Sequence, residues 1–304
     1  MLYKVLHKLF FIPVVGWILR PKLLHGERIP KQGAAILAAN HISWGDTFSL
    51  PTLMKRPLRF AAKRELFEMR GIKALLGTFL RIAGQVPLDR SGGSSGEHGL
   101  ESLLAVLQRG ELLGIFPEGT RSPDGRLYRC HTGVARLALL SGVPVIPVGM
   151  VNTHVRRALI FPTMRQARII VGQPIDFSAY AEHANDSKVL RWVSDEIARH
   201  IQQLTKQTYV DVYGARIKYG SMSLQESQQF VKEYPNVGVP SPVACPVGVA
   251  SVPKEVLAGS APAECSSVAA DISEKIWMDS TAHTQLTATS TNLPETSVAE
   301  ELQP

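Results

Sequence analysis

A histidine and an aspartate five residues apart, His41 and Asp46, have the chemistry of a general base and the group that orients it. An aspartate can accept a hydrogen bond from one imidazole nitrogen and leave the other nitrogen to take a proton from a hydroxyl. Regular helix spacing would place the two residues about 140° apart around the axis, away from a common face. The pair therefore requires His41 on a loop and Asp46 at the start of the following helix.

The residues around the pair fit that requirement. An apolar run at 34–39 predicts a buried strand that ends at Asn40, directly before His41. Gly45 gives the chain the freedom to turn, and Asp46 is a candidate N-cap for the helix that follows. The alternative is that His41 is an ordinary loop histidine and Asp46 only a helix cap.

A second chemical motif, Pro-Glu-Gly-Thr-Arg at 117–121, follows another predicted strand. Proline and glycine on either side of Glu118 predict a tight turn that points its carboxylate outward. The carboxylate can accept hydrogen bonds from substrate hydroxyls, and Arg121 can bind phosphate oxygens with its planar guanidinium. The alternative is a surface turn with a Glu–Arg ion pair, which would contribute little to stability.

Single basic residues follow two further predicted strands. Lys63 and Arg64 come after one of them, and Arg90 comes after the next. A lone base at the end of a strand is commonly no more than a solvated side chain. Together with Arg121, however, these residues predict one convergent site for an anion.

The elements that must position these residues alternate along the chain from residue 24 to residue 205. The pattern predicts strands at 24–28, 34–39, 58–62, 85–88, 112–116, 144–149 and 167–172, and helices at 47–54, 71–82, 96–109, 134–141 and 188–205. Such alternation favours an α/β fold with a mostly parallel sheet flanked by helices. In these sheets, binding sites form at the carboxyl ends of the strands, where His41 and Glu118 both fall.

Charge is distributed unevenly along the 304 residues. Residues 221–304 carry ten acidic and three basic side chains, so residues 1–220 hold 30 basic and 16 acidic ones. A strongly basic region indicates an anionic partner, such as nucleic acid, a phosphate-bearing substrate or a membrane surface. Aromatic residues make up 7% of the chain and do not interleave with the bases, which disfavours nucleic acid.

The two ends of the chain have compositions of their own. Residues 9–19 are uncharged but too few to span a bilayer, which takes about 20 residues in a helix. Basic residues flank this run and no small-residue cleavage site follows it, so residues 1–22 are predicted to form a helix anchored at the membrane interface. A helix packed on the protein's own core is the alternative. Residues 221–304, rich in Ser, Thr, Ala and Pro, are predicted to be a disordered acidic tail behind a catalytic domain at 23–220.

The three cysteines, at positions 130, 245 and 265, form no Cys-x-x-Cys pair. This spacing disfavours a zinc site and fits a reducing compartment. Cys130 has His131 as its neighbour, but adjacent side chains do not normally face each other, which disfavours a thiol nucleophile.

Four motifs in this order resemble those of the glycerolipid acyltransferase family, specifically its 1-acylglycerol-3-phosphate acyltransferases. They are the histidine–four residues–aspartate motif at 41–46, the segments 63–66 and 84–90, the segment 116–122, and the segment 143–148. Each motif is short and could recur by chance, but the four together in this order and spacing are specific. The resemblance covers residues 24–205.

The resemblance implies transfer of a fatty acyl group from acyl-CoA or acyl carrier protein to the free hydroxyl of 1-acylglycerol-3-phosphate (lysophosphatidic acid), which gives phosphatidic acid. It implies that His41 is the general base and Asp46 its orienter, and that no metal or resident cofactor is needed. The residues implied to bind the acceptor are Lys63, Arg90, Glu118, Gly119, Thr120 and Arg121. The enzyme would act on the lipid bilayer, at the cytoplasmic face of the cell membrane, as a peripheral or monotopic protein.

Other functions remain open at this point. The chain departs from the family pattern at 128–132, where more lysine is expected, and in its tail. A metal-dependent hydrolase could use His41 and Asp46 as ligands, but the sequence shows no further ligand cluster with the right spacing. A non-catalytic protein could bind anionic lipid through its basic face, although the combination of His41, Asp46, Glu118 and Arg121 argues against it. Within the acyltransferases, another lysolipid or a glycolipid acceptor is the alternative.

Overall fold

The structure, a computed structural model, describes residues 21–68, 71, 77–78, 80–81, 85–88, 94–153, 156–157, 162–163 and 167–243. Within these residues the strands are β1 (Lys22–Leu24), β2 (Ala35–Ala39), β3 (Leu58–Lys63), β4 (Val86–Leu88), β5 (Leu112–Ile115), β6 (Leu127–Tyr128), β7 (Val145–Val151), β8 (Arg156–Arg157), β9 (Pro162–Thr163), β10 (Arg168–Val171), β11 (Tyr209–Val210) and β12 (Val231–Lys232). The α-helices are α1 (Asp46–Leu53), α2 (Ser94–Gln108), α3 (Gly133–Ser141), α4 (Ser187–Thr205) and α5 (Gly214–Lys218). Short 3-10 helices lie at Gly26–Arg28, Arg64–Leu66, Ser178–His183 and Glu226–Phe230.

A seven-stranded sheet in the order β1-β10-β7-β2-β5-β3-β4 is the centre of the fold. β7, β2, β5, β3 and β4 run parallel, whereas β10 pairs antiparallel with β7. The predicted mostly parallel α/β sheet is therefore confirmed. Ala38 pairs with Ile115, so β2 and β5 end side by side at one edge of the sheet. The loops that begin at Asn40 and Phe116 consequently lie next to each other.

Both faces of the central strand β2 are covered, which explains its apolar sequence. Ile36 and Ala38 belong to a hydrophobic cluster that includes side chains of α2, α3 and α4. Leu37 belongs to a second cluster, which includes Leu50 of α1. All five residues of β2 are buried, and full burial of each large aliphatic side chain stabilises the fold by about 1.5–3 kcal/mol. The carboxyl end of β2 is thus a firm support for the residues that follow it.

The predicted elements occur close to their predicted bounds wherever they fall on described residues, with one exception. The prediction of a strand at 24–28 is wrong, because β1 ends at Leu24 and Gly26–Arg28 form a 3-10 helix. The helix predicted at 71–82 lies mostly outside the described residues.

The fold continues past residue 220, so the prediction of a disordered tail from residue 221 is wrong for residues 221–243. β12 pairs with β11, and β11 pairs with β6, which forms a second sheet of three short strands. Ser227 is fully buried and accepts a hydrogen bond from Arg126 Nη2 at 2.8 Å. The polar composition is misleading here because the buried hydroxyl of Ser227 is the hydrogen-bond partner of Arg126.

The remaining predictions for the two ends cannot be compared with the structure. Residues 1–20 of the predicted anchor and residues 244–304 of the predicted tail lie outside the described residues, while Lys22 belongs to β1. Among the described helices, none combines the length and the apolar character needed to cross a bilayer.

Candidate active site

His41 and Asp46 are in contact at the carboxyl end of β2, which confirms the predicted pairing of their side chains. His41 Nδ1 lies 2.9 Å from Asp46 Oδ2. Asp46 is fully buried, whereas 14% of the His41 side chain is exposed. Because a carboxylate accepts in such a pair, this hydrogen bond assigns the imidazole proton to Nδ1. The lone pair of His41 Nε2 is then the one that can take a proton.

The prediction that Asp46 is the N-cap of α1 is wrong. The N-cap is Gly45, and Asp46 is the first residue of the helix. Its Oδ2 accepts hydrogen bonds from the backbone N–H groups of Ile42 at 2.6 Å and Ser43 at 2.8 Å, in addition to the His41 ring. The side chain turns back because three donors converge on it there. Asp46 therefore both orients the imidazole and shapes the loop that carries it.

One face of the imidazole is stacked on Phe116, which is itself stacked on a second aromatic ring. The rings of His41 and Phe116 are stacked, with centroids 4.0 Å apart and an angle of 14° between their planes. Phe116 in turn stacks on Phe60, with centroids 5.2 Å apart. This apolar support limits rotation of the imidazole.

Asn40, directly before His41, fastens the loop to the neighbouring strand β7. Its fully buried side chain donates to Met150 O at 3.1 Å and to Gln207 Oε1 at 2.9 Å, and it accepts from Met150 N at 2.6 Å. Ser43 Oγ also donates a hydrogen bond to the backbone oxygen of Thr153, two residues after β7. Asn40 had no role predicted from sequence. The signal that could have indicated one is an amide at the end of a buried apolar strand, where its polar atoms need partners.

Glu118 points inward, which contradicts the predicted outward carboxylate. It is only 2% exposed. Its Oε1 accepts from the His41 backbone N–H at 2.9 Å, and its Oε2 accepts from the Tyr128 N–H at 3.0 Å. Two buried N–H groups would be costly to leave without acceptors, and this outweighs the outward tendency of the turn. The oxygens predicted to meet a substrate hydroxyl are thus used to fix the His41 loop.

Burial raises the pKa of Glu118 to about 8, because the ionised carboxylate loses its hydration. The two backbone N–H donors act in the opposite direction, since they stabilise the ionised form. The negative charge of Asp46 raises the pKa further. This carboxyl group is consequently a balance between costly burial and the two hydrogen bonds that require it there.

The turn after Glu118 brings the rest of the second motif to the same edge of the sheet. Gly119 has a φ of 70°, and its N–H donates to Phe116 O at 3.0 Å. Ser122 N donates to His41 O at 2.7 Å, which gives the two loops a second link. Arg121 is exposed to solvent on this turn.

Known proteins are similar to this chain in sequence and in fold. The sequence model of a family named Acyltransferase matches residues 20–151. The 1-acyl-sn-glycerol-3-phosphate acyltransferase of Bacillus subtilis is 26% identical over 185 residues, which are 60% of this chain and 87% of that protein. The crystal structure of the 1-acyl-sn-glycerophosphate acyltransferase PlsC from Thermotoga maritima matches with a TM-score of 0.50 and 26% identity, over 66% of this chain and 79% of that one.

Over residues 20–151 the chain is similar to the Acyltransferase family. It is an acyltransferase, and the matched region contains all of the candidate site residues named from the sequence. A chloroplastic 1-acyl-sn-glycerol-3-phosphate acyltransferase of Arabidopsis thaliana is 29% identical over 170 residues, but the chain spans only 45% of that protein's length.

The structure brings six of the eight predicted site residues of this acyltransferase together, on two adjacent loops and the first residue of α1. They are His41, Asp46, Glu118, Gly119, Thr120 and Arg121. Lys63 is the last residue of β3, which is next to β5, so its backbone lies at the same edge of the sheet. Arg90 lies outside the described residues.

The metal-dependent alternative finds no further ligands near this site. Within the part of the chain that the structure describes, no three His, Cys, Asp or Glu side chains are grouped to hold a metal ion. Cys130, the other residue considered from sequence, is buried, and burial raises the pKa of its thiol.

We expect Gly119→Ala to destabilise this acyltransferase by about 1–2 kcal/mol through the left-handed backbone alone. The added Cβ would also lie 2.8 Å from Cδ2 of the His131 ring, which must move. Chemical denaturation measures the loss in the free energy of unfolding. Gly133→Ala is the matched control, because a Cβ at Gly133 meets nothing within 4 Å.

A double variant separates the two causes. Adding His131→Ala to Gly119→Ala removes the collision but keeps the backbone strain, so stability should recover only in part relative to His131→Ala alone. Full recovery would mean that the turn carries no strain, and an unchanged stability of Gly119→Ala would contradict the turn itself.

Proposed function

We propose that this acyltransferase moves a fatty acyl group to the free hydroxyl of 1-acylglycerol-3-phosphate and so forms phosphatidic acid in phospholipid biosynthesis. The observation that carries the proposal is the position of the His41–Asp46 pair beside the loop of Arg121. One loop offers a base for a hydroxyl, and the other offers a cation for a phosphate, so an acceptor that has both groups fits the two loops. The names of the bacterial and plant relatives state the same acceptor.

In the proposed reaction, His41 Nε2 takes the proton of the acceptor hydroxyl while the hydroxyl oxygen attacks the carbonyl carbon of an acyl thioester. The new C–O bond gives a tetrahedral intermediate, and the C–S bond then breaks. The proton passes from His41 to the departing thiolate. Asp46 stabilises the imidazolium that exists between the two steps, in the same way as the aspartate of a hydrolase triad. The acyl group is transferred directly, and acyl-CoA or acyl carrier protein serves as the co-substrate.

The proposed acceptor site has its cations on neighbouring segments. Arg121 binds the phosphate with its guanidinium, and we propose that Lys63, the last residue of β3, and Arg90, two residues after β4 in the sequence, are further cations of this site. Gly119 and Thr120 form the turn that carries Arg121. Because both the acceptor and the product are membrane lipids, we propose that the reaction takes place at the cytoplasmic surface of a membrane.

The test is an assay of the purified full chain with mixed donors and acceptors. Acyl-CoA and acyl carrier protein thioesters are offered with several lysolipids, and the products are analysed by lipid mass spectrometry. Phosphatidic acid as the dominant product supports the proposal. Preferred acylation of another lysolipid or of a glycolipid would replace the acceptor, and binding of anionic vesicles without any acyl transfer would favour the non-catalytic alternative.

We expect Arg121→Ala to raise the KM for lysophosphatidic acid about tenfold or more, with kcat changed much less. An ionic contact with the phosphate acts equally on the bound substrate and the transition state, so its loss appears in KM. Steady-state kinetics at varied acceptor concentration measures the effect. Arg109→Ala is the matched control, because Arg109 is also an exposed arginine but precedes β5, at the opposite end of the strand. An unaltered KM in Arg121→Ala would remove Arg121 from the phosphate site.

A further inference from the structure

A lysine from the C-terminal part of the fold reaches the turn that carries Arg121. Lys218, the last residue of α5, donates a hydrogen bond from Nζ to Thr120 Oγ1 at 2.7 Å. Thr120 directly precedes Arg121. We infer that Lys218 is an additional binding residue for the phosphate group of the acceptor, an inference that rests on the proposed function.

Backbone pairing places Lys218 at this turn. β11 pairs with β6, and Gln207 Nε2 donates to Gly125 O at 2.6 Å. Gly214, the first residue of α5, packs so closely on Tyr128 that a Cβ there would lie 3.3 Å from the ring. The segment that precedes Lys218 is therefore bonded at several points to residues 125–128, which follow Arg121.

Residues 125–128 are in turn connected to the His41 loop through Glu118. Glu118 accepts from the backbone N–H groups of both Tyr128 and His41. The small sheet that precedes Lys218 is thus connected through Glu118 to the loop of the general base. Because Arg121 directly follows Thr120, a phosphate bound by Arg121 at this turn would lie near the Lys218 ammonium.

The charge of Lys218 matters more to a ligand than to the fold. Its hydrogen bond with Thr120 is exposed to solvent, and exposed polar pairs of this kind contribute little to stability. An ammonium group carries three donors, so it can bond the threonine hydroxyl and a phosphate oxygen together. Lys218 lies outside the residues 20–151 that match the family model.

The test replaces the charge while keeping a hydrogen-bond donor. Lys218→Gln can still donate to Thr120, but it has no charge to attract phosphate. We expect the KM for lysophosphatidic acid to rise about tenfold, with kcat and the KM for the acyl donor close to the wild-type values. Lys218→Arg should restore most of the acceptor affinity. Arg216→Gln is the matched control, because Arg216 lies on the same helix but about 200° away around the axis. There its positive charge interacts with the carboxylate of Glu226.

A binding measurement separates this inference from the proposed reaction. In a His41→Ala background, titration calorimetry should show the Kd for lysophosphatidic acid rising about tenfold on Lys218→Gln, while binding of the phosphate-free monoacylglycerol is unaltered. An unchanged Kd, an equal loss in Arg216→Gln, or a rise in the donor KM alone would overturn the assignment. If the wild-type protein binds lysophosphatidic acid through Lys218 but does not acylate it, the proposed function fails while the binding role stands.

Discussion

Replacing His41 with alanine will lower kcat by about 10² to 10⁴-fold, because general-base assistance of a hydroxyl is worth roughly that much. The geometry makes the loss specific to the chemical step. The imidazole is fixed by Asp46 on one nitrogen and by Phe116 on its flat side, so only Nε2 is directed at a substrate. Phosphatidic acid formation at saturating donor and acceptor is the measurement, and chemical denaturation shows whether the variant is folded.

A second histidine–carboxylate pair provides the matched control for this prediction. His98 Nδ1 lies 3.3 Å from Glu101 Oε2 on the exposed surface of α2. His98→Ala therefore removes the same kind of pair without touching the site, and it should leave kcat at the wild-type value. Full activity in a folded His41→Ala protein would exclude His41 as the base.

Much of the fold could be predicted because burial leaves a simple record in the sequence. A strand covered on both faces, such as β2, must be apolar at every position, and all five of its residues are buried. The pairing of His41 with Asp46 could be predicted for a similar reason. Both residues lie within one loop and one helix turn, so their spacing alone restricts the geometry.

The parts of the site that could not be predicted depend on residues far apart in the chain. The direction of the Glu118 side chain is decided by two backbone N–H groups, of which one is 77 residues away. The contact of Lys218 with Thr120 joins residues 98 positions apart, across a sheet of short strands that have little pattern of their own. At Glu118 the local turn preference competes with the need to satisfy buried polar groups, and the second effect prevails.

These long-range bonds hold the loop of the general base from both sides. Asn40 links it to Met150 of β7, and Glu118 links it to the segment that follows β5. The loop of the base is therefore bonded to β7 through Asn40, and the His41 backbone itself is bonded to the segment after β5. Catalytic groups lose rate steeply when they are displaced, and a misplacement of about 1 Å can cost about 10²-fold. Outside the catalytic pair, the largest loss of kcat is consequently expected on substitution of Glu118, which accepts the hydrogen bond of the His41 N–H.

Glu118→Ala should lower kcat by up to about 10²-fold and leave the KM for lysophosphatidic acid close to the wild-type value. The substitution leaves the N–H groups of His41 and Tyr128 without their acceptors, which costs about 1–3 kcal/mol for each and lets the His41 loop move. Glu118→Gln should lie between the two proteins, because its amide oxygen can accept only one of the bonds. Kinetics at varied acceptor concentration separates this positioning role from a contact with substrate, since a raised KM at unchanged kcat would restore Glu118 to the acceptor site.

Two further measurements make the interpretation of Glu118 specific. Glu226→Ala is the matched control, because that carboxylate also accepts a backbone N–H, from Ser223 at 2.7 Å, but on the exposed surface, and kcat should be unaffected. The second is the pH dependence of stability. Burial raises the pKa of Glu118 from 4.5 to about 8, so the folded protein holds this proton more tightly than the unfolded chain does. Between these pH values the free energy of unfolding of the wild type should fall relative to Glu118→Gln, by at most about 1.4 kcal/mol per pH unit. A difference between the two proteins that does not vary with pH would show that the carboxyl group is solvated rather than enclosed behind His41.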